Sequence, residues 1–422
     1  MFNDANAVSD ISTEFRKFTV DRFIKYARIW TTSNKHSPDM PTTPGQWDLA
    51  KELVAELKTI GVTDVTLTDK CYVIGKIPAS AGKEHRPTIG FLSHIDTSAE
   101  VSGKDVRPQL VESYDGKPIT FEGGASLDPA EFPDLAEHSG QSIIHTDGNT
   151  LLGADDKAGI AIIMGMVEYF FNHPEVQHGP IEVMFTPDEE TGKSLQGFPL
   201  ETIKSTACYT LDGGPIGELE WECFNAWGAK ITFTGLSIHL GTARGKMVNA
   251  ALMAAVYAAM LPRNESPEAT DGYYGYYAPL TIEGNVETAS LEIYIRDFDR
   301  KEGERRVRAL DTFAKAVEAQ FPGGKVEVDV KLQYLNMKEK INVYPEVLDI
   351  LRKAFTNSGV AIHEKPIRGG TDGSRLTQMG IPTPNIFTGG RNYHSRLEWL
   401  SVPEMALSCK LVTELVRLWG ED

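Results

Sequence analysis

The stretch LLGADDKAGIAIIMGMVEYFF, residues 151–171, joins an acidic pair to a segment that is apolar on nearly every side. The aliphatic residues from Lys157 to Phe171 are too dense to form one stripe, so this segment predicts a helix buried on all sides. Asp155 and Asp156 stand directly before it. A helix of this kind requires other layers of structure around it, which indicates a sizeable core.

Short apolar runs on both sides of this helix predict a sheet. We expect strands over Cys71 to Ile77, Thr88 to Leu92, Ile181 to Thr186 and Ala207 to Leu211, because each run is rich in β-forming residues. Thr43 to Gly61 predicts an amphipathic helix. Strands that alternate with helices and are almost continuously apolar indicate an α/β fold, with a mixed sheet covered by helices on both faces.

The region from residue 225 to 336 has a different order of elements. Strands and helices are expected there in the order β-α-β-β-α-β, at Ala229 to Thr234, Met247 to Leu261, Pro279 to Gly284, Ala289 to Asp297, Glu302 to Phe321 and Lys325 to Tyr334. This is the order of a ferredoxin-like domain. Helices at Pro345 to Gly359 and Val402 to Trp419 then resume the first pattern. We therefore expect one domain made of residues 1–224 and 337–422, with a second domain, 225–336, inserted in it.

Composition disfavours several classes of function. The 422 residues carry a net charge of −17, and the 42 Lys and Arg residues form no basic run, so we expect no nucleic-acid partner. Met1 to Val20 has no apolar core behind a basic start, which is untypical of an export signal. No window reaches the ~18 apolar residues that span a membrane. The four cysteines form no CxxC pair and are expected to be reduced. We expect a cytoplasmic protein.

Five short acidic or histidine clusters each follow an apolar run. They are Ser93-His94-Ile95-Asp96, Asp155-Asp156, Asp188-Glu189-Glu190, Asp212-Gly213 and Asn392-Tyr393-His394. Four of them come directly after a predicted strand or its loop. In open α/β sheets ligands bind outside the carboxyl ends of the strands, so side chains far apart in sequence can converge there. The clusters therefore predict a single site at one edge of the sheet.

The residue types in the clusters suit metal ions. Asp96 falls on the same side of an extended chain as His94 and can orient its ring. Glu189 and Glu190 are adjacent, so their side chains diverge in an extended chain, and one can bind metal while the other acts as general base. Three carboxylates and two histidines suit two zinc ions that share one carboxylate. That arrangement is typical of amide or ester hydrolysis.

Each cluster also has a purely structural interpretation. His94 can be an ordinary strand-end histidine, and Glu189 with Glu190 a solvated acidic turn. Asp155 can simply complement the macrodipole at a helix N-terminus. His394 has no local signal beyond its residue type. The presence of all five clusters in one chain favours the metal site.

The motifs closely resemble those of the dizinc exopeptidase family. Besides the clusters, the resemblance covers GTARGKMVN at 241–249, IRDFDR at 295–300 and PIRGGTDG at 366–373, and it extends from about Arg22 to the last helix. It implies an aminopeptidase that removes the N-terminal residue from tripeptides and holds two Zn²⁺ per subunit. Alternatives are an enzyme acting on dipeptides or N-acyl amino acids, and a non-catalytic relative that binds metal or peptide.

The resemblance implies a role for each metal ligand, position by position. Asp155 corresponds to the carboxylate that bridges both metals. His94 and Asp212 then complete one zinc site. Glu190 and His394 complete the other.

Two further residues of the clusters have implied roles in catalysis. Glu189 corresponds to the general base, and Asp96 to the residue that supports the first histidine. The family often has a cis peptide bond after its bridging aspartate, here Asp155-Asp156. These assignments follow from the resemblance alone.

The resemblance also implies that the inserted domain serves as a lid and as the dimerisation unit of a homodimer. His239 corresponds to a lid histidine that stabilises the tetrahedral oxyanion, although a solvent-facing histidine is the simpler interpretation of its loop. The implied substrate contacts are Arg296, Asn249 and Thr371. One departure from the family pattern is Leu240, where a proline is expected after the lid histidine.

Overall fold

The computed structural model describes residues 5–122 and 124–421, with side chains from residue 13 onward. Residues 1–4, the start of the segment in which no export signal was expected, lie outside it. The helices are α1 Ala5–Ala27, α2 Gly45–Ile60, α3 Pro133–Ala136, α4 Ala154–Asn172, α5 Ala250–Met260, α6 Arg300–Gln320, α7 Lys338–Ile341, α8 Pro345–Ser358, α9 Asp372–Gln378 and α10 Val402–Trp419. Among the described residues, no helix combines the length and apolar character that crossing a bilayer requires.

The strands are numbered in chain order. They are β1 Asp64–Leu67, β2 Val73–Ile77, β3 Ile89–His94, β4 Gln109–Val111, β5 Ile119–Thr120, β6 Ser126–Leu127, β7 Ile143–His145, β8 Ile181–Thr186, β9 Ala207–Gly213, β10 Glu218–Glu220, β11 Asn225–Thr234, β12 Tyr276–Gly284, β13 Thr288–Asp297, β14 Lys325–Tyr334, β15 His363–Glu364, β16 Asn385–Phe387, β17 Gly390–Arg391 and β18 Trp399–Ser401. Most boundaries lie within a few residues of the predicted ones, and β8, β14 and α10 have the predicted bounds.

The chain divides into two compact units. The first, Met1–Trp221 with Lys340–Lys365 and Thr371–Asp422, contains an eight-stranded sheet of order β1-β2-β8-β3-β9-β16-β10-β15. β3 pairs parallel with β8 and with β9, whereas β2 pairs antiparallel with β8. The predicted α/β fold with a large mixed sheet is confirmed.

The central strands of this sheet are packed on both faces. On one face, Leu92 and Met184 lie in a buried cluster with Leu376 of α9. On the other, the Ser93 hydroxyl donates to the backbone oxygen of Asp156 at the start of α4, at 3.0 Å. α4 is buried along most of its length, as its apolar pattern predicted. Burying one large apolar side chain contributes ~1.5–3 kcal/mol, so this helix anchors the core.

The second unit, Glu222–Glu339 with Pro366–Gly370, contains an antiparallel sheet of order β12-β13-β11-β14. Its elements follow one another as β11-α5-β12-β13-α6-β14. Alternate residues of β13 are buried, and Leu291, Ile293 and Ile295 pack in one cluster with Tyr257 of α5 and Leu310 of α6. Both helices therefore pack on the same face of this sheet.

Several short elements were not predicted from the sequence. β17, β18, β7 and β4 form a further sheet in that order within the first unit, and β5 pairs with β6. Strands of two or three residues are too short for a hydrophobic period to appear. They matter for the site, because β17 and β18 are paired antiparallel and enclose a loop, residues 392–398, that carries His394.

Candidate metal centre

His94 is the last residue of β3 and is buried. Its Nδ1 lies 3.0 Å from the backbone oxygen of Asp96. Its Nε2 lies 2.9 Å from Oδ1 of Asp155 and 3.7 Å from Oδ1 of Asp212. Burial lowers the pKa of this imidazole, but the three carboxyl groups outweigh it and raise the pKa well above its usual value. A cation bound at Nε2 requires the neutral ring, in which Nδ1 donates to Asp96 and the Nε2 lone pair is directed at the acidic cluster.

The carboxylate of Asp155 lies between two imidazoles. Its Oδ1 is 2.9 Å from Nε2 of His94, and its Oδ2 is 3.2 Å from Nε2 of His394. Burial raises the pKa of Asp155, but the two histidines more than offset this and hold it well below its usual range. One oxygen directed at each histidine is the arrangement that a carboxylate shared by two cations requires.

The position of Asp155 in the chain differs slightly from the predicted one. It was expected directly before the helix, but it lies inside the first turn of α4 with non-helical φ and ψ of −84° and 101°. Gly153, at φ 80°, is the residue before this turn. The Asp155–Asp156 peptide bond is cis, as the resemblance led us to expect.

Glu190 and Asp212 add two more carboxyl groups to the cluster. Oε1 of Glu190 lies 3.1 Å from Nε2 of His394, and Oδ1 of Asp212 lies 3.7 Å from Nε2 of His94. Burial, followed by the charge of Asp155, raises the pKa of Glu190 to about 7 and that of Asp212 to about 6. Carboxylates this close repel one another, and a bound cation relieves that repulsion.

The donor set fits divalent cations. Within the described residues, His94, Asp155 and Glu190 each place a ligand atom within 4.8 Å of the others, and so do His94, Asp156 and Asp212. The buried Oδ1 of Asp156 accepts no hydrogen bond from any described residue. Leaving a buried polar atom unsatisfied costs ~1–3 kcal/mol, more if it is charged. Nitrogen and oxygen donors of these types bind zinc, so the cluster is a candidate metal site.

Asp96 joins the first histidine to the acidic turn. Its fully buried carboxylate accepts the backbone N–H of Glu189 at 2.9 Å with Oδ1 and that of Glu190 at 3.2 Å with Oδ2. Oδ1 also lies 3.3 Å from Nδ1 of His94. Asp96 therefore holds three residues of the cluster in place. Its own oxygens are not among the candidate ligand atoms.

The turn that carries Glu189 and Glu190 corrects one detail of the sequence interpretation. The two residues were expected in extended chain, but they lie in a 3-10 turn, Glu189–Thr191, which follows Asp188 at φ 59°. Asp96 stabilises this turn by accepting both N–H groups. The two side chains still have different neighbours. Oε1 of Glu189 is 3.6 Å from Nη1 of Arg375, whereas Glu190 faces a histidine.

In the second unit, His239 is exposed in the loop between β11 and α5. The backbone N–H of Gly241 donates to its Nδ1 at 3.2 Å. Because Nδ1 accepts this bond, a neutral His239 ring carries its proton on Nε2. The exposed edge of the ring is therefore a hydrogen-bond donor.

Arg296, also in the second unit, is buried among aromatic rings. Its guanidinium lies over the ring of Tyr294, 4.7 Å from the centroid, and 5.5 Å from that of Tyr334. Nη1 donates to the carbonyl oxygens of Trp227 and Ile295 at 3.1 and 2.9 Å. Arg296 and Tyr294, two residues apart on β13, therefore contact each other on one face of the strand. Only 7 % of Arg296 is exposed, which leaves little of it accessible to a ligand.

The two other expected substrate contacts both cap helices. The Asn249 side chain accepts the N–H of Leu252 at the start of α5, at 3.1 Å. Thr371 caps α9, where its hydroxyl and that of Ser374 form a capping box. A cap of this kind contributes ~1 kcal/mol to stability, so each residue already has a structural role.

Glu398 and Arg375 were not singled out from the sequence, although both contact residues that were. Arg375 lies beside Glu189, as described above. Glu398 accepts three backbone N–H groups, including that of Asp155 at 3.1 Å. One signal was available for Glu398: it stands between Leu397 and Trp399, and an acidic residue in an apolar run indicates a buried partner.

The chain matches known proteins over most of its length. The sequence model of Peptidase family M20/M25/M40 matches residues 141–418. The chain is 48 % identical to Peptidase T of Bacillus licheniformis over 404 residues, which cover 95 % of this chain and 98 % of that protein. Its fold is similar to that of aminopeptidase PepT from Bacillus cereus, with a TM-score of 0.75 at 22 % identity over 96 % and 99 % of the two chains. It is also similar to a dinuclear metal binding peptidase from Bacillus subtilis, with a TM-score of 0.63 at 14 % identity over 96 % and 98 %.

Proposed function

The chain belongs to peptidase family M20/M25/M40, and from this premise we propose that it is a metal-dependent aminopeptidase that removes the N-terminal residue from tripeptides. The observation that carries the chemistry is the carboxylate of Asp155, which directs one oxygen to His94 and the other to His394. The near-complete match to a protein named Peptidase T supports the substrate class.

We expect the site to hold two zinc ions. Asp155 would hold both ions, with His94 and Asp212 as further ligands of one and Glu190 and His394 as further ligands of the other. A bound pair of divalent cations supplies Lewis-acid polarisation of the scissile carbonyl and stabilises developing negative charge. The protein supplies the fixed donors, because four of these five side chains are at least mostly buried. They come from the ends of β3 and β9, the first turn of α4 and the turn after β8.

Glu189 carries the proton in this proposal. It takes a proton from the attacking water and delivers it to the leaving amine. Burial and the nearby carboxylate of Asp372 raise the pKa of Glu189 well above its usual value, and Arg375 opposes this. A carboxyl group with a raised pKa can both accept and return a proton near neutral pH. Asp96 fixes its position through the backbone N–H at 2.9 Å.

The substrate class is tested with Leu-Gly-Gly, Leu-Gly and N-acetyl-leucine. We expect Leu-Gly-Gly to have the highest kcat/KM and to yield free leucine and Gly-Gly, identified by mass spectrometry. A chelator should remove the activity and added Zn²⁺ should restore it. Cleavage of N-acetyl-leucine alone would contradict the aminopeptidase assignment, and a preference for Leu-Gly would indicate a dipeptidase.

We further propose that the second unit is a ferredoxin-like lid and the dimerisation unit of a homodimer. Its element order and its antiparallel sheet support this assignment. So do the large apolar side chains of its strands that stay at least 40 % exposed, Leu280, Ile282, Tyr294 and Leu332. Sedimentation velocity should then give twice the chain mass of 46.5 kDa.

His239 tests the role of this unit in catalysis. Its exposed Nε2–H is a hydrogen-bond donor of the kind that stabilises an oxyanion. His239→Ala is therefore expected to lower kcat by ~10²-fold with metal content unchanged. His363→Ala replaces an exposed histidine of the first unit and should leave kcat unaltered. Equal kcat values in both variants and the unmodified protein would leave His239 as a surface residue.

Arg296, Asn249 and Thr371 stay predicted substrate contacts. An arginine can bind a terminal carboxylate bidentately, and the stacking of Arg296 on Tyr294 fixes the plane of its guanidinium. Asn249 and Thr371 are each fixed by a capping hydrogen bond. Comparison of KM for Leu-Gly-Gly and its C-terminal amide in Arg296→Met measures whether the arginine recognises the carboxylate.

A further inference from the structure

Glu398 is a buried carboxylate at the end of the loop that carries His394. It is 1 % exposed. Its Oε2 accepts the backbone N–H groups of Leu152 at 2.9 Å and Gly153 at 2.7 Å, and its Oε1 accepts that of Asp155 at 3.1 Å. Three hydrogen bonds to one side chain therefore fix the segment that leads into Asp155.

The hydrogen bond from Asp155 replaces a local cap on α4. The first N–H groups of a helix have no partner within the helix, and the side chain of the N-cap residue usually accepts one of them. Here the N-cap residue is Gly153, which has no side chain to do so. The acceptor comes instead from Glu398, 243 residues beyond Asp155 in the sequence.

The loop before Glu398 is closed by its own hydrogen bonds. Nδ2 of Asn392 donates to the backbone oxygen of Leu397 at 3.1 Å. The backbone N–H of Glu398 donates to the oxygen of Ser395 at 3.2 Å. Strands β17 and β18 pair at the base of the loop. A displacement of Glu398 is therefore transmitted to His394, which lies inside this closed loop.

We propose that Glu398 is a positioning residue that fixes the separation of Asp155 and His394 and thereby sets the affinity of the site for its cations. The Glu398 side chain holds the backbone of Asp155, and the Glu398 backbone belongs to the loop that carries His394. Oδ2 of Asp155 and Nε2 of His394 lie 3.2 Å apart. The inference rests on the proposed metal site. Ligands held in place before the cation arrives lose less entropy when it binds.

The test compares Glu398→Gln and Glu398→Asp with a matched control, Glu182→Gln. Glutamine keeps the size but places an N–H₂ group against backbone N–H donors. Aspartate keeps the charge but is one methylene shorter. It therefore cannot accept the N–H groups of both Gly153 and Asp155. Glu182 is equally a buried carboxylate of the first unit, and it accepts the N–H groups of Lys204 and Ser205 at 3.0 and 2.9 Å, away from the cluster.

Zinc affinity is measured by competition with a chromogenic chelator, and ligand geometry by the visible absorption spectrum of the Co²⁺-loaded protein. We expect Glu398→Gln to weaken zinc binding by ~10- to 100-fold and to alter the Co²⁺ spectrum, with Glu398→Asp intermediate. Glu182→Gln should lower the melting temperature of the metal-free protein but leave zinc affinity and spectrum unchanged.

Unaltered zinc affinity and Co²⁺ spectrum in both Glu398 variants would overturn the proposal. If Glu398→Gln failed to fold, unaltered zinc affinity and an unaltered Co²⁺ spectrum in Glu398→Asp alone would overturn the proposal. The shorter side chain already weakens the hydrogen bonds between Glu398 and the segment that leads into Asp155. Failure of the unmodified protein to cleave Leu-Gly-Gly is a separate result. It would overturn the proposed function and leave the affinity comparison valid.

Discussion

Glu189→Gln is expected to lower kcat by ~10²- to 10⁴-fold while both cations stay bound. Glutamine retains the size of the side chain and the backbone N–H that donates to Asp96 at 2.9 Å, so the acidic turn keeps its shape. The amide can neither accept nor return a proton. Oε1 of Glu189 lies beside Arg375, at 3.6 Å, and the residue is in neither group of candidate ligand atoms, so metal binding should survive.

The measurement combines kcat on Leu-Gly-Gly with metal content by plasma mass spectrometry. Glu201→Gln, which changes an exposed carboxylate outside the cluster, is the control and should match the unmodified protein. A Glu189→Gln variant that kept both metals and more than a tenth of the original kcat would show that another group carries the proton. Loss of metal from this variant would instead make Glu189 a ligand.

Asp155→Asn is expected to abolish metal binding and activity together. The substitution removes the charge that faces both histidines. An amide also offers a cation only one oxygen, whereas the carboxylate directs one oxygen at each Nε2, at 2.9 and 3.2 Å. The loss of affinity should exceed the ~10- to 100-fold typical of residues that only orient a ligand.

Equilibrium dialysis against Zn²⁺ measures this loss. Asp349→Asn, at an exposed position on α8, controls for the change in net charge. Asp155→Asn should retain neither cation under conditions in which the control retains two. Two tightly bound cations in Asp155→Asn would exclude a shared carboxylate at this position.

Long elements of the fold were predictable because their hydrophobic patterns extend over many residues. The helix after Asp156 is apolar on nearly every side, and the structure buries most of it. β8, Ile181–Thr186, is buried at every position, as a continuous apolar run indicates. β17 and β18 have two and three residues, and no pattern of that length distinguishes a strand from a loop.

Within the site, side chains at strand ends were predictable and the contacts that fix them were not. His94 and Asp212 are at or near the carboxyl ends of β3 and β9, where the sheet rule placed them. Asp96 accepts the backbone N–H groups of Glu189 and Glu190, which are 93 and 94 residues away in the sequence. Such contacts depend on the three-dimensional packing of a carboxylate against backbone N–H groups, which leaves no local sequence pattern.

The most direct test of the metal site is an anomalous difference map at the zinc edge, from crystals grown with Zn²⁺. Two peaks roughly 3.5–4 Å apart are expected, with the Asp155 carboxylate between them, His94 at one and His394 at the other. A single peak, or peaks that the Asp155 carboxylate does not contact, would contradict the shared-carboxylate site.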